Sequence, residues 1–145
     1  MDRMKTMKDF FTDLRKRNTF EWDRDQEITA VKPGHLEMVF HTREGRHANF
    51  RGDLHGATYV GFSDTLMGTS CFTLGKAVVT LDISGNYIKA AKAGTDIRGV
   101  ANVEHNGSHT MVVTCRMYNE LGEVVYMGRG TFYVKEPFAL PDLPF

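Results

Sequence analysis

Apolar residues near the start of the chain recur at spacings of three and four, at Met4, Met7, Phe10, Phe11 and Leu14. Lys5, Lys8, Asp9, Arg15 and Lys16 fill most of the positions between them. This period predicts an amphipathic helix over residues 2–17. The acids on its polar face favour docking on its own domain over a membrane surface. Two short strands are predicted next, over residues 27–31 and 35–41, flanking the turn dipeptide Pro33-Gly34. Residues 42–53 are polar and irregular, punctuated by Gly45 and Gly52, and read as a loop.

From residue 56 to 74 small residues mix with apolar ones without a clean polar face. Length favours helix over strand here. Its glycines weaken it by about 1 kcal/mol each against Ala, and make sense where other backbones approach closely. The pattern then switches to a period of two. Val79, Leu81, Ile83 and Tyr87 alternate with Thr80, Asp82, Ser84 and Asn86, and Ile97, Gly99, Ala101 and Val103 alternate with Arg98, Asn102 and Glu104. Asn106-Gly107 is a hairpin signal, and strands over 109–118 and 124–134 are joined by a turn at 119–122. Residues 136–145, with three prolines among apolar side chains, read as an extended arm that adds little to the sheet. The sum is one α+β domain over 1–145: a long helix wrapped by a curved antiparallel sheet, the hotdog arrangement.

Composition narrows the function classes. Eighteen basic residues balance eighteen acidic ones, leaving no overall field for nucleic acid or an anionic membrane. No apolar run nears the roughly 20 residues of a membrane span, and Asp2, Asp9 and Asp13 make the N-terminus unlike an acid-poor transit peptide, so a cytoplasmic location is expected. Cys71 and Cys115 lie in apolar-leaning segments and read as free core thiols. The six histidines show no metal-binding spacing, so no metal or cofactor is expected.

Asp64 is the most informative single residue. A carboxylate on a helix that looks wrapped on several sides costs several kcal/mol unless paired or neutralised. It marks either a catalytic group or a structural pair. Leu54-His55-Gly56-Ala57 begins the same helix, where free N–H groups and the dipole can stabilise negative charge in acyl transfer. Otherwise it is a plain loop-to-helix junction. Asn49 is a short amide in the preceding loop.

The stretch Asn49-Phe50-Arg51-Gly52-Asp53-Leu54-His55-Gly56-Ala57, followed by Phe62-Ser63-Asp64-Thr65-Leu66-Met67-Gly68, resembles the PaaI-like hotdog thioesterases. That family shows N-x-x-G-x-L-H-G-G, then a helix carrying an aspartate. Val79-Thr80-Leu81-Asp82-Ile83 resembles its next segment, and the likeness runs over residues 27–134. The resemblance implies an acyl-CoA thioesterase in which coenzyme A is part of the substrate. It implies Asp64 as general base or nucleophile, and the Gly56 N–H as the group polarising the thioester carbonyl. Asn49 would position the carbonyl or the water, His55 would orient the loop, and Thr80 would hold the water. Ala57, where the family has a second glycine, would narrow the acyl entrance or tighten helix packing, and Phe50 hints at an apolar pocket. The family's basic pair near the hairpin is absent, leaving Lys89 and Lys92 as candidates for phosphate contact. The resemblance also implies a homodimer, or a dimer of dimers, with Asp64 facing Asn49 and Gly56 of a second copy. Two other readings stand beside hydrolysis: a non-catalytic acyl-CoA binding module, and a hydratase or dehydratase of acyl thioesters.

Overall fold

The computed structural model describes residues 3–145, apart from the side chain at position 22. Helix α1 spans Met7–Arg15. A short 3-10 turn, Glu21–Asp25, leads into β1 (Gln26–Lys32) and β2 (His35–His41). Helices α2 (Glu44–His47) and α3 (Gly56–Phe72) follow. Strands β3 (Lys76–Tyr87), β4 (Asp96–Asn106), β5 (Thr110–Tyr118) and β6 (Val124–Pro137) complete the chain. All six strands form one antiparallel sheet in the order β1-β2-β4-β5-β6-β3. This is the hotdog fold expected, an α+β domain with α3 against the curved face of the sheet.

Several boundaries differ from the pattern-based expectation. Helix α1 starts at Met7 because Thr6 and Asp9 form a capping box: the Thr6 hydroxyl accepts the Asp9 N–H at 3.2 Å and the Asp9 carboxylate accepts the Thr6 N–H at 2.9 Å. Met4 therefore lies outside the helix and half exposed, and Asp2 lies outside the described residues. The expected loop at 42–53 contains the one-turn α2, and α3 ends at Phe72 rather than at 74. The Asn106-Gly107 hairpin forms, with residues 107–109 as its loop. Strand β6 runs on to Pro137 as partner of Lys76, so the sheet extends into the segment expected to be arm. The rest of the tail packs as an arm. The Met7 N–H donates to the Pro144 carbonyl at 2.7 Å, and Phe138 stacks edge-on against Phe72.

Helix α3 holds the core together because it is apolar nearly all round. Phe62, Leu66 and Met67 are fully buried, facing Phe40, Ile97 and Phe132 of the sheet. Gly99 on β4 sets how close they come. A Cβ there would stand 2.8 Å from Leu66 Cδ2 and 2.9 Å from Phe62 Cζ. Gly99→Ala is accordingly expected to destabilise the fold by ~1–3 kcal/mol by overpacking, read as a lower denaturation midpoint at unchanged m-value. Cys71 and Cys115 are buried free thiols, and burial pushes both up to about 12, so they act as core apolar groups.

One rung of the sheet carries a pH dependence. His41 Nε2 lies 3.0 Å from Glu27 and Nδ1 lies 2.9 Å from Asp96. Hydrogen bonds to these two carboxylates raise the His41 imidazole above its ordinary value. A group raised on folding stabilises the fold fully below its unfolded pKa, and loses that contribution as pH rises through the folded one. Thermal melts of the native chain and His41→Gln are expected to differ near pH ~5.5 and to converge by pH ~8.5. The difference is small, since the imidazole is half exposed and screened. A gap that stays constant across this range would assign it to packing instead.

Candidate active site

Asp64 is the single charged residue in the 17 residues of α3. It sits half-buried midway along the helix, and its Oδ1 accepts a 2.6 Å hydrogen bond from the Thr80 hydroxyl on β3. Asp64 Oδ2 accepts nothing from the described residues. The two side chains border a groove of about 500 Å³ between α3, the start of β3 and residues 18–20.

Thr80 reaches Asp64 against the simple alternation of the sequence. The sequence alternates Val79, Leu81, Ile83 and Tyr87 with Thr80, Asp82, Ser84 and Asn86, which would put the first four on one face and the others on the opposite one. Instead Val79 and Leu81 are 47% and 58% exposed, while Val78 and Ile83 pack against the core. A register irregularity between Thr80 and Asp82 supplies the reason: one extra residue, Leu81, switches the faces. Before it the even positions Val78 and Thr80 point at α3, and after it Ile83 does.

The N-terminus of α3 forms a second cluster. His55 is the N-cap, and its Nδ1 accepts the Ala57 N–H at 3.0 Å, which requires that nitrogen to be unprotonated. The Thr58 N–H donates to the His55 carbonyl at 3.0 Å. Gly56 N–H, the first of the helix, has no partner among the described residues. The Gly56 carbonyl accepts the Tyr87 hydroxyl at 2.8 Å, which ties this end of α3 to β3. Ala57 is exposed, so its N–H is committed to the cap and its methyl faces outward.

The loop before the helix is fixed by its own bonds. Asn49 Oδ1 accepts the Arg51 and Asp53 N–H groups at 2.9 and 3.1 Å, leaving its amide NH2 uncommitted. The His55 N–H donates to the His47 carbonyl at 2.8 Å, and Leu54 N–H to Ala91 at 2.8 Å. His47 is itself buried, stacks on Phe40 and accepts the Arg43 N–H at Nδ1. Burial holds its imidazole below the ordinary value, so it is neutral near pH 7. The buried Asp25 carboxylate anchors α2 to the end of the 3-10 turn through Arg43 at 2.9 Å and Arg46 at 3.1 Å. This support is what holds the cap and the first turn of α3 in place.

The remaining candidates are scattered. Phe50 is at the loop tip and 96% exposed. Lys89 pairs with Glu123 at 2.5 Å and Lys92 with Asp53 at 3.0 Å, so both charges are already met within the chain. Within one copy the structure brings Asp64 and Thr80 together, and separately Asn49, His55 and Gly56. Eight residues of helix separate Gly56 from Asp64, about 12 Å of rise. Sequence reasoning missed three polar residues of these two clusters. Tyr87 was read only as one of the alternating residues of its strand. Asp23, whose Oδ1 accepts the Thr65 hydroxyl at 3.0 Å, and Asn18, which donates to Asp23 Oδ2 at 2.9 Å, lie in a charged stretch that looks like plain surface.

Residues 51–126 match the family model of the thioesterase superfamily. The chain belongs to that superfamily, and the class of enzyme so defined is a thioester hydrolase. A protein of Streptococcus pneumoniae described as a hypothetical thioesterase, solved with coenzyme A, matches at TM-score 0.82 and 23% identity, covering 88% of this chain and 99% of that one. The Escherichia coli PaaI protein matches at TM-score 0.81 and 18% identity, covering 87% and 91%. These likenesses show the fold. Two further structures of the Streptococcus protein, both at 26% identity, carry an aspartate-to-alanine and a threonine-to-alanine replacement sixteen residues apart. An esterase by name from Archaeoglobus fulgidus is 24% identical over 115 residues, 79% of this chain and 74% of the relative. No described helix is long and apolar enough to cross a membrane.

Proposed function

We propose that this enzyme hydrolyses acyl-CoA thioesters to the free acid and coenzyme A, at a site shared by two copies of the chain. The observation that carries the reading is the lone helix carboxylate, Asp64, held through one oxygen by Thr80 with the other oxygen uncommitted. In the Streptococcus protein the two replaced positions stand the same sixteen residues apart as Asp64 and Thr80. Thr80 orients the carboxylate. Asp64 then takes a proton from water as the water oxygen attacks the thioester carbon. The carbonyl oxygen becomes an oxyanion, received by the uncommitted Gly56 N–H at the positive end of α3. The C–S bond breaks on collapse, and the thiolate of coenzyme A takes up the proton. Attack by Asp64 itself, giving a mixed anhydride that water then opens, fits the same geometry.

The shared site follows from distance. About 12 Å of helix between Gly56 and Asp64 is too far for one carbonyl carbon to be served by both. A second copy resolves this, and β3 is the natural seam. It is one of the two outer strands of the sheet, and Val79, Leu81, Tyr87 and Ile88 leave apolar surface along it. Pairing two such edges removes an aggregation-prone strand and brings Asp64 of one copy toward Gly56 and the Asn49 amide of the other. His55 then serves by holding the first turn. Ala57 and Phe50 border the entrance. Lys89 and Lys92 would meet phosphate only by giving up their present carboxylate partners, which makes them weak candidates for that contact.

The test is free-thiol release from a panel of short, medium, long and aryl acyl-CoAs. Tight binding of acyl-CoA with no thiol release would instead favour the binding module.

A further inference from the structure

Coenzyme A carries its negative charge on the phosphates of its nucleotide end, and a site that holds them needs cations not already neutralised. Several cations near the first turn of α3 are committed within the chain. Arg43 and Arg46 bind the Asp25 carboxylate, Lys89 pairs with Glu123, and Lys92 pairs with Asp53. Arg51 differs. It is exposed, and its guanidinium has no acidic partner among the described residues. Beside it Phe50 is 96% exposed, the highest value among the described large apolar side chains. A ring so placed adds no packing to the domain.

The loop that presents these two side chains is held by its own bonds. The Asn49 N–H donates to the Asp53 carbonyl at 2.8 Å, and the Gly52 N–H to the Asn49 carbonyl at 3.1 Å. Asn49 Oδ1 accepts the Arg51 and Asp53 N–H groups. Gly52 makes the turn at φ +80°, and its carbonyl accepts the Ala93 N–H at 3.2 Å. Lys92 meets Asp53 at 3.0 Å, which ties the base of the loop down and neutralises the acid next to Arg51. A loop fixed in this way offers Phe50 and Arg51 at little ordering cost on binding. Ala48 and Leu54 pair across its base, and Arg51 stands three residues before Leu54, roughly 10 Å by strand rise. The pantetheine arm of coenzyme A spans that gap with the thioester at the Gly56 N–H.

We propose that Phe50 and Arg51 hold the nucleotide end of coenzyme A, the Phe50 ring stacking on the adenine and the Arg51 guanidinium binding a phosphate. A purine offers a flat face to an exposed ring, and a phosphate offers paired oxygens to the guanidinium fork. This rests on the acyl-CoA reading above, and adds to it the residues that recognise the carrier rather than the acyl group. The oxyanion donor and the nucleotide contact then come from the same copy of the chain, because both lie within residues 50–56, while Asp64 comes from the other copy. A thioester on a carrier without the nucleotide loses this contact and nothing else.

The test compares the native chain with Arg51→Gln, Arg51→Lys and Phe50→Ala. Free-thiol release is measured with one acyl group on two carriers, coenzyme A and pantetheine, and coenzyme A itself is titrated by calorimetry. Arg51→Gln is expected to raise KM for acyl-CoA and Kd for coenzyme A about tenfold, and Phe50→Ala by about five- to tenfold. The preference for acyl-CoA over acyl-pantetheine falls by the same factors. Arg51→Lys recovers part of the loss, and added salt weakens coenzyme A binding less in Arg51→Gln than in the native chain. A loss of equal size on both carriers places the effect in the loop's structure and overturns the proposal. A changed oligomeric state of Phe50→Ala, read by light scattering, assigns that ring to a contact between copies and overturns its stacking role. Thiol release with acyl-CoA KM unmoved in Arg51→Gln and Phe50→Ala refutes the nucleotide contact alone. Coenzyme A binding weakened in these variants, with no thiol release by the native chain, refutes hydrolysis and leaves the contact standing. Failure of the native chain to bind coenzyme A or to release thiol refutes both.

Discussion

Asp64→Asn is expected to lower kcat for acyl-CoA hydrolysis by a factor of about 10²–10⁴, with KM little changed. The replacement keeps the shape and the hydrogen bond from Thr80, and removes only the charge and the ability to take a proton. That size corresponds to about 3–5.5 kcal/mol of transition-state stabilisation. Asp64→Ala should fall at least as far and leave the Thr80 hydroxyl without its acceptor. Folding is not at risk, because a half-buried carboxylate with one neutral partner contributes little net stability. Free-thiol release measures the effect. Turnover within about threefold of the native chain in both variants, a difference under ~1 kcal/mol, would show that the chemistry lies elsewhere. Single turnover in oxygen-labelled water detects the covalent route: label in the protein carboxylate means that Asp64 attacked and that water opened the anhydride at the Asp64 carbon.

The second large effect concerns a backbone group. Gly56→Pro is expected to lower kcat by about 10²–10³-fold, the usual size of the loss of one oxyanion donor. Proline removes the N–H while suiting the first position of a helix, where that N–H makes no intrahelical bond. The residue before proline must be extended, and His55 already is, at φ −63° and ψ 136°. The added ring meets the Tyr87 hydroxyl at about the contact distance of a Cβ, 3.4 Å, an ordinary contact with the end of a half-exposed side chain that is bonded to the Gly56 carbonyl at 2.8 Å. Gly56→Ala serves as the control: it keeps the N–H and adds the same Cβ contact. A Pro variant no slower than the Ala variant would remove Gly56 N–H from the mechanism. Mixing Asp64→Asn with Gly56→Pro chains tests the shared site as well. If each site takes Asp64 from one copy and Gly56 from the other, half of the mixed dimer's sites are intact, and activity returns on mixing two slow proteins.

The architecture was legible because period reports environment. The 3.6 period of Met7, Phe10, Phe11 and Leu14 and the alternation of Ile97, Gly99, Ala101 and Val103 follow from each element facing one core. Helix α3 was legible for the opposite reason, since a helix apolar on nearly every side must be wrapped. Asp64 stood out as the one charge on it, and the motif from Asn49 to Gly56 placed the helix start.

The tertiary structure alone decided the rest. Strand alternation put Thr80 outward, and the irregularity at Leu81, which no local propensity marks, turned it toward Asp64. Ala57 and Gly56 present equivalent N–H groups in the sequence. Only the His55 ring, folded back on the first turn, commits one and leaves the other. Asp23 looks like surface, and is buried because the 3-10 turn packs against α3, where its carboxylate accepts the Thr65 hydroxyl. Sequence determines which residues prefer the core and which elements they build. Which polar atoms remain uncommitted, and which distant residues share a cavity, depends on contacts between segments far apart in the chain.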